Sequence, residues 1–273
     1  MELGIFSKTY EGDLETVFRR IQADGLTATQ FNLTTAGLET MPLVYNKDDL
    51  DEVKRISKKY NIKLAALSGT FNMIDPDLKA RNDGIKRFRV LCEIANYLNI
   101  PVISLCTGSK NPNDKWAWDD RNLNDSSWND LLKTTKQIIN YAKEYNVVLG
   151  VEPEVNNIIN TPKRARKYLD IFKSKHLKII MDGANLFIPT KVEAMQETLK
   201  EAFDYLGNDI CLAHAKDLCL TSKITFVAAG EGAIDFKTYI KLLNKYNYKG
   251  PLIIHGLSET QVLDSVEFLK GEM

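Results

Sequence analysis

Four side chains that could bind a metal ion or move a proton stand at the ends of the last four strand-like segments. The segment VVLGVE ends on Glu152, KIIMD on Asp182, ICLAH on His214 and PLIIH on His255. Two carboxylates and two imidazoles are a plausible ligand set for a divalent transition metal. Any one of them could instead be a structural histidine or a helix-capping acid. Two of the only three histidines stand at these ends, which favours one shared site.

Eight short apolar segments alternate with eight amphipathic ones along the chain. The strand-like segments are 3–6, 28–33, 63–68, 102–105, 147–151, 178–181, 210–213 and 252–254. The helical patterns are 13–23, 48–60, 77–98, 127–145, 161–172, 192–206, 235–246 and 258–269. Ser127 and the Thr161-Pro162 pair are the expected start signals of two helices. This alternation predicts a single-domain (β/α)8 TIM barrel over residues 1–273, with an open doubly wound sheet as the alternative.

The connections between these elements indicate the position of the active site. No GxGxxG follows the first strand, which counts against a dinucleotide-binding sheet. Three long connections, 32–47, 106–126 and 218–233, all follow strands. In a barrel they lie at the C-terminal face with the four strand ends, so this face is the predicted active site.

Composition narrows the partners and the compartment. Lys plus Arg and Asp plus Glu number 36 each, so no global field attracts nucleic acid or a membrane surface, and a small molecule is the expected partner. The four cysteines show no CxxC spacing, which fits reduced thiols. No signal-like segment opens the sequence, and no apolar run approaches the length of a membrane span. We expect a cytoplasmic protein, which could be a homo-oligomer.

The sequence resembles the sugar phosphate isomerase/epimerase superfamily, the xylose isomerase-like TIM barrels. The resemblance is carried by GVEPEVNNIINT, KIIMDGANLF, LAHAKD, GEGAIDFKTYIKLL and YKGPLIIHGL. In that family a Glu, an Asp, a His and a final Glu hold the metal. Glu152, Asp182 and His214 match the first three, whereas His255 replaces the last. The resemblance therefore implies a divalent metal, with Mn, Zn, Co or Fe favoured over Mg because nitrogen replaces oxygen.

The family chemistry is proton removal next to a carbonyl through an enediolate. The resemblance implies that Glu152 is the base and His255 the opposite acid/base partner. Loss of the second glutamate favours an isomerase over an epimerase, because aldose–ketose isomerisation needs one base on one face. A keto-inositol-type dehydratase uses the same enolate and stays open. A non-catalytic sugar-binding relative stays open too.

Five further residues are candidates for substrate binding. Asn72 follows the third strand, and Thr107 and Trp116 follow the fourth. The Trp116 ring could stack on a sugar or pin its loop to the barrel. Asn185 could bind a sugar hydroxyl or cap a helix. Lys216 could anchor a phosphate or carboxylate, or pair with Asp217.

The sequence counts against two further hypotheses, a DNA-repair endonuclease and a phosphate-binding loop. A DNA-repair endonuclease of the related barrel family would need many histidines and a basic surface, and the sequence has neither. The glycines of GEGAID fit a tight turn before the seventh helix better than a phosphate-binding loop.

Overall fold

A computed structural model of the chain describes residues 1–220 and 223–273, except for the side chains of residues 190–192. Its strands are β1 Leu3–Phe6, β2 Ala28–Phe31, β3 Lys63–Ser68, β4 Val102–Leu105, β5 Val148–Val151, β6 Leu177–Asp182, β7 Ile210–Ala215, β8 Asp217–Leu220, β9 Ile224–Val227 and β10 Leu252–Ile254. Its helices are α1 Leu14–Ala23, α2 Lys47–Lys59, α3 Leu78–Tyr97, α4 Asp125–Glu144, α5 Pro162–Phe172, α6 Met195–Leu206, α7 Phe236–Lys245 and α8 Val262–Glu272. None of these helices has the length and apolar character that a membrane crossing requires.

Eight parallel strands close into a barrel. The order around it is β1, β2, β3, β4, β5, β6, β7 and β10, and β10 pairs with β1. The eight helices follow the strands in alternation. This confirms the predicted (β/α)8 barrel and excludes the open sheet.

The barrel interior is packed with apolar side chains below its C-terminal end. One buried cluster consists only of strand residues, namely Ala28, Ala65, Ala66, Val102, Ile180, Leu212 and Ile253. The packing is close enough that a Cβ on Gly150 would lie 2.6 Å from Cγ1 of Ile180. A filled interior leaves the C-terminal ends of the strands as the place where polar side chains can meet a ligand.

Two predicted helix starts had different outcomes. Thr161 does cap α5, since its Oγ1 accepts a hydrogen bond from the backbone N–H of Arg164 at 3.2 Å and Pro162 takes the first helical position. Ser127 does not cap α4, which begins at residue 125. Its Oγ donates instead to the carbonyl of Arg121 at 2.7 Å, so the hydroxyl holds the preceding turn.

The segment predicted as a long loop over 218–233 contains strand structure. β8 and β9 form an antiparallel hairpin in which Asp217 pairs with Val227 and Leu220 with Ile224. Residues 221–222 of that predicted loop lie outside the described residues. Each strand of this hairpin is four residues long. The barrel strands β1, β2, β4 and β5 are equally short, but nearly all of their residues are buried. β8 is buried only in its first half and β9 has no buried residue, so the two lack the continuous apolar pattern that predicts a barrel strand.

Candidate metal centre

The barrel brings Glu152, Asp182, His214 and His255 together. One donor atom from each residue lies within 4.8 Å of the donor atoms of the other three. Asp182 ends β6, His214 lies in β7 beside it in register, and the other two directly follow β5 and β10. Two carboxylates and two imidazoles converging in this way fit a divalent transition metal. All four predicted ligands therefore belong to one cluster, called the metal cluster below.

Asp182 has different partners on its two oxygens. Oδ1 accepts from the backbone N–H of Ala184 at 3.0 Å, while Oδ2 lies 2.9 Å from Nε2 of His255 and 3.2 Å from Nζ of Lys216. Burial opposes ionisation, but the Lys216 charge and the His255 hydrogen bond hold the pKa of Asp182 well below its ordinary value. The side chain is therefore a carboxylate, the form that a metal binds.

His255 stacks on Phe6, with ring centroids 4.6 Å apart and an interplanar angle of 15°. Burial lowers the pKa of His255 below its ordinary value, although the hydrogen bond to Asp182 acts in the opposite direction. The imidazole is therefore neutral at pH 7. This favours the predicted ligand role over the predicted acid role, which needs a proton on the ring near neutral pH.

A chain of hydrogen bonds connects Glu152 to Lys216 through Asn185. Nδ2 of Asn185 donates to Oε1 of Glu152 at 2.6 Å, and Nζ of Lys216 donates to Oδ1 of Asn185 at 2.5 Å. A carboxylate only accepts and an ammonium only donates, so the orientation of the amide is fixed. Asn185 therefore orients Glu152, the candidate base. Asn185 and Lys216 line the same cavity as Glu152.

Lys216 does not pair with Asp217, so that alternative is wrong. Asp217 instead accepts from backbone N–H groups of the GEGAID segment: Gly230 at 3.1 Å, Gly232 at 3.0 Å and Ile234 at 2.9 Å. A Cβ on Gly232 would lie 2.4 Å from Oδ1 of Asp217. The glycine-rich segment is thus a tight turn, as predicted, and its N–H groups bind a carboxylate of the chain itself.

A cavity of about 630 Å³ opens beside the metal cluster, with Glu152 and His255 in its wall. Amide and hydroxyl side chains form much of the remaining wall, namely those of Gln30, Asn32, Ser68, Ser104, Asn156 and Asn157. The aromatic rings of Phe6, Trp116 and Phe226 line it as well. The volume suits a small molecule. The mixture of polar groups and rings suits one with many hydroxyls and an apolar ring face.

The three substrate-binding candidates after β3 and β4 separate into two kinds. Trp116 lines the cavity with about half of its surface exposed, which leaves its ring available for stacking. Asn72 and Thr107 are buried and absent from the described cavity wall. Asn72 donates to the carbonyl of Ser109 at 2.8 Å, and Oγ1 of Thr107 accepts from the N–H of Ile159 at 3.3 Å. Their contacts hold loops of the C-terminal face, in place of the expected substrate contacts.

The sequence prediction missed Gln30, Ser68 and Ser104, which line the cavity from β2, β3 and the end of β4. A glutamine inside the apolar strand ATQF was the available signal. Glu154 also lines the cavity and accepts from Nδ2 of Asn157 at 2.6 Å. Burial raises the pKa of Glu154 to about 7.

Comparison with known proteins identifies the family. Residues 18–272 match the family model described as xylose isomerase-like TIM barrel. The chain belongs to this family. The predicted superfamily is thereby confirmed, and its solved relatives show the same barrel over nearly their whole length.

Three relatives of this xylose isomerase-like barrel illustrate its range. Inosose dehydratase of Glaesserella parasuis serovar 5 (strain SH0165) is 23% identical over 163 residues, which are 55% of this chain and 54% of that protein. The chain thus spans about half the length of the curated relatives it matches. The apo 3-keto-D-glucoside 4-epimerase YcjR from E. coli has a TM-score of 0.75 at 17% identity, covering 99% of this chain and 98% of the other. The IOLI protein with a bound zinc atom has a TM-score of 0.71 at 18% identity, covering 100% and 96%.

Proposed function

We propose that the protein is a divalent-metal-dependent isomerase or epimerase of a sugar, keto-sugar or sugar phosphate, which removes a proton next to a carbonyl. The observation that carries the proposal is the metal cluster of four converging donors in and beside the wall of a polar cavity. Two ligand nitrogens favour Mn, Zn, Co or Fe over Mg. When bound, such a metal acts as a Lewis acid that polarises oxygen atoms of the substrate.

Glu152 is the candidate base. Its Oε1 contacts Asn185 at 2.6 Å and Nδ1 of His214 at 3.4 Å, whereas no described residue donates a hydrogen bond to Oε2. Oε2 therefore keeps its lone pairs for a substrate C–H. Proton removal moves the C–H electron pair toward the carbonyl and gives an enediolate. The ammonium of Lys216, which lines the same cavity, stabilises the developing negative charge.

The contacts of His255 favour isomerisation over epimerisation. An epimerase must return the proton to the opposite face of the same carbon, which requires a second acid. His255 is engaged with Asp182 at 2.9 Å and is one of the four cluster donors. Glu152 can return its proton to the neighbouring carbon on the same face, and once the hydroxyl proton of the enediolate has passed from one substrate oxygen to the other, an aldose has become a ketose.

A keto-inositol dehydratase is the second candidate, favoured by the curated relatives named inosose dehydratase. It begins with the same proton removal by Glu152. The electron pair of the enolate then expels the hydroxyl group on the next carbon, which leaves with a proton as water. The first step is thus common to both candidates, and the product distinguishes them.

Hydrogen exchange in D₂O tests the shared step. Protein stripped with a chelator and reloaded with Mn²⁺ or Zn²⁺ is incubated with a ketohexose, a ketohexose phosphate, an inosose and a 3-keto-glucoside. NMR should show metal-dependent deuterium incorporation next to the carbonyl of at least one. Glu152→Gln should abolish it, whereas the exposed control Glu201→Gln should not. An aldose product identifies an isomerase, and loss of water identifies the dehydratase. Metal binding with neither exchange nor product formation for any probe would contradict enzymatic function and favour a sugar-binding protein.

A further inference from the structure

Gln30 lies next to the metal cluster and contacts one of its members. The side chain is 2% exposed, and its Oε1 lies 2.8 Å from Nε2 of His214. Its Nε2 lies 3.3 Å from Oγ of Ser68 and 3.2 Å from Oγ of Ser104. One buried amide thus joins a cluster histidine to two hydroxyl groups on the opposite side of the barrel.

The hydrogen-bond inventory selects the orientation of this amide. With Oε1 toward His214, the two N–H groups of Gln30 have two hydroxyl acceptors, Ser68 and Ser104. In the reversed orientation the NH₂ group would face a single ring nitrogen, and its second N–H would have no acceptor among these contacts. A buried donor without a partner costs about 1–3 kcal/mol. The observed orientation is therefore the more stable one.

This orientation also selects the tautomer of His214. A carbonyl oxygen only accepts, so Nε2 of the neutral ring must carry the hydrogen, and Nδ1 keeps its lone pair. Nδ1 faces the metal cluster, where its contacts with Oε1 of Glu152 at 3.4 Å and Oδ2 of Asp182 at 4.0 Å exceed ordinary hydrogen-bond length. Nε2, at 2.8 Å from Gln30, therefore has the better acceptor of the two ring nitrogens. The nitrogen that a metal would need is thus the one left unprotonated.

We propose that Gln30 is a positioning residue that holds His214 in the Nε2–H tautomer and so prepares Nδ1 for a metal ion. The inference rests on the proposed metal site. It adds Gln30 to that site as a supporting residue, which the sequence pattern did not predict. Partners of this kind fix the ring orientation and basicity of metal-binding histidines, and their loss typically lowers metal affinity about 10–100-fold.

The strands around Gln30 are adapted to this contact. The pairing of β2 with β3 is irregular at this point, since Thr29 pairs with Leu64 but Gln30 pairs with Ala66, which skips Ala65. Irregularities of this kind are common next to active sites, where they change the direction of a side chain. The residue of β3 that pairs with Gln30 is Ala66, whose side chain is a single methyl group.

His176 provides an internal reference with the opposite tautomer. Its Nδ1 lies 2.8 Å from the carbonyl oxygen of Val147, so Nδ1 carries the hydrogen. The chain has only three histidines, and ¹⁵N-histidine labelling therefore gives a spectrum of three rings. In the metal-free wild-type protein we expect His214 to show the Nε2–H pattern and His176 the Nδ1–H pattern. An Nδ1–H pattern for His214 would overturn the proposal without any variant.

Substitutions then test the dependence on Gln30. Gln30→Met removes the acceptor at similar volume, and we expect a mixture of His214 tautomers and a Zn²⁺ affinity about 10–100-fold lower. Gln30→Glu keeps an oxygen for Nε2–H, and should restore the tautomer and most of the affinity. Gln22→Met is the control, because Gln22 is exposed and donates only to the carbonyl of Tyr60.

The outcomes separate this inference from the proposed function. An unchanged His214 tautomer and Zn²⁺ affinity in Gln30→Met would overturn the positioning role, even if metal-dependent exchange occurred. The predicted tautomer in a wild-type protein that binds no Zn²⁺ would overturn the metal site and, with it, the preparation of Nδ1. Binding of Zn²⁺ with a shift of the His214 Nδ1 signal, and rescue by Gln30→Glu, would support the metal site and the positioning role of Gln30.

Discussion

Two buried aspartates, Asp182 and Asp217, lie at the C-terminal face and are 1% exposed each, but their partners differ. Asp217 accepts from four backbone N–H groups, those of Leu218 and three residues of the GEGAID turn. Asp182 accepts from one backbone N–H, and its other neighbours are side chains, those of His255, Lys216 and, at 4.0 Å, His214. A carboxylate bound by backbone is fixed with the chain around it. A carboxylate bound by side chains can exchange a partner for a ligand.

The difference separates a structural role from a functional one at equal burial. Among the described contacts, the three turn amides bound by Asp217 have no other acceptor, so the turn depends on this carboxylate. The donors around Asp182 are themselves ligand types or a lysine that also contacts Asn185. Burial and residue type alone would have ranked the two aspartates together. Substitutions at each aspartate test whether one carboxylate supports the fold and the other the metal site.

The largest loss of stability is expected for Asp217→Asn. The amide retains one acceptor oxygen but directs its NH₂ group at backbone N–H donors, so at least two of the four donors lose their acceptor. At about 1–3 kcal/mol for a buried donor and less for a partly exposed one, the free energy of unfolding should fall by about 2–4 kcal/mol. Urea denaturation of the metal-free protein measures this loss. Zn²⁺ affinity of the folded variant should stay within a few-fold of wild type, and a large loss of affinity would place Asp217 in the functional site.

Asp182→Asn should affect metal binding strongly and the free energy of unfolding less. Its main effect should be on metal affinity. Removal of an anionic ligand should lower that affinity by more than the roughly 10–100-fold that is typical of a residue that only supports a ligand. Titration of Mn²⁺ and Zn²⁺ into chelator-treated protein measures this. We expect a smaller change in the free energy of unfolding than for Asp217→Asn, since Lys216 keeps its contact with Asn185. Unchanged metal affinity would remove Asp182 from the site.

Gly232→Ala tests how closely the turn approaches Asp217. The added Cβ would lie 2.4 Å from Oδ1 of Asp217 and from the carbonyl oxygen of Leu218, so the turn must move. We expect the free energy of unfolding to fall by about 1–3 kcal/mol. Gly271→Ala is the matched control, because nothing lies within 4 Å of its added Cβ and alanine favours the helix. Equal effects of the two substitutions in urea denaturation would contradict a close contact at Asp217.

The sequence predicted the barrel and the position of the metal cluster because both follow from repetition. In a barrel of parallel strands, every C-terminal strand end meets at one face, so four polar strand ends must converge there. The choice of partners within that face does not follow from spacing. Lys216 and Asp217 are adjacent, but neighbouring side chains of an extended segment point to opposite sides, which separates them.

Contacts distant in sequence were also beyond prediction. Gln30 meets His214 across 184 positions, and only closure of the barrel brings β2 within reach of β7. The buried places of Asn72 and Thr107 follow from loop packing, which has no periodic signature. The metal cluster could thus be found by its strand ends, whereas the residues that support it required the fold.

The smallest loss of stability is expected for a substitution at Asp130, an aspartate that is bound by side chains but is not part of the metal cluster. It pairs with Arg81 at 2.9 Å and Lys110 at 2.7 Å, and about a quarter of its side chain is exposed. Partial burial opposes ionisation, but the hydrogen bonds from Lys110 and Arg81 lower the pKa of Asp130 below its ordinary value. A folded-state pKa below that of the unfolded chain contributes stability at higher pH, and this contribution is lost as the pH falls below about 4.

Asp130→Asn should therefore destabilise the metal-free protein by about 1 kcal/mol at pH 7, the upper end for partly exposed ion pairs. The difference from wild type should shrink as the pH falls from about 4 toward 3, because wild-type Asp130 then takes up a proton and loses its ion pairs. Urea denaturation across this range measures both. Asp264→Asn is the control, since Asp264 is exposed and has no ion pair among the described residues. A difference that stayed constant with pH would show that the pKa of Asp130 is the same in the folded and the unfolded chain. Neither the ion pairs nor the hydrogen bonds of Asp130 would then favour its carboxylate, and side-chain partners would matter for a carboxylate only in the metal cluster.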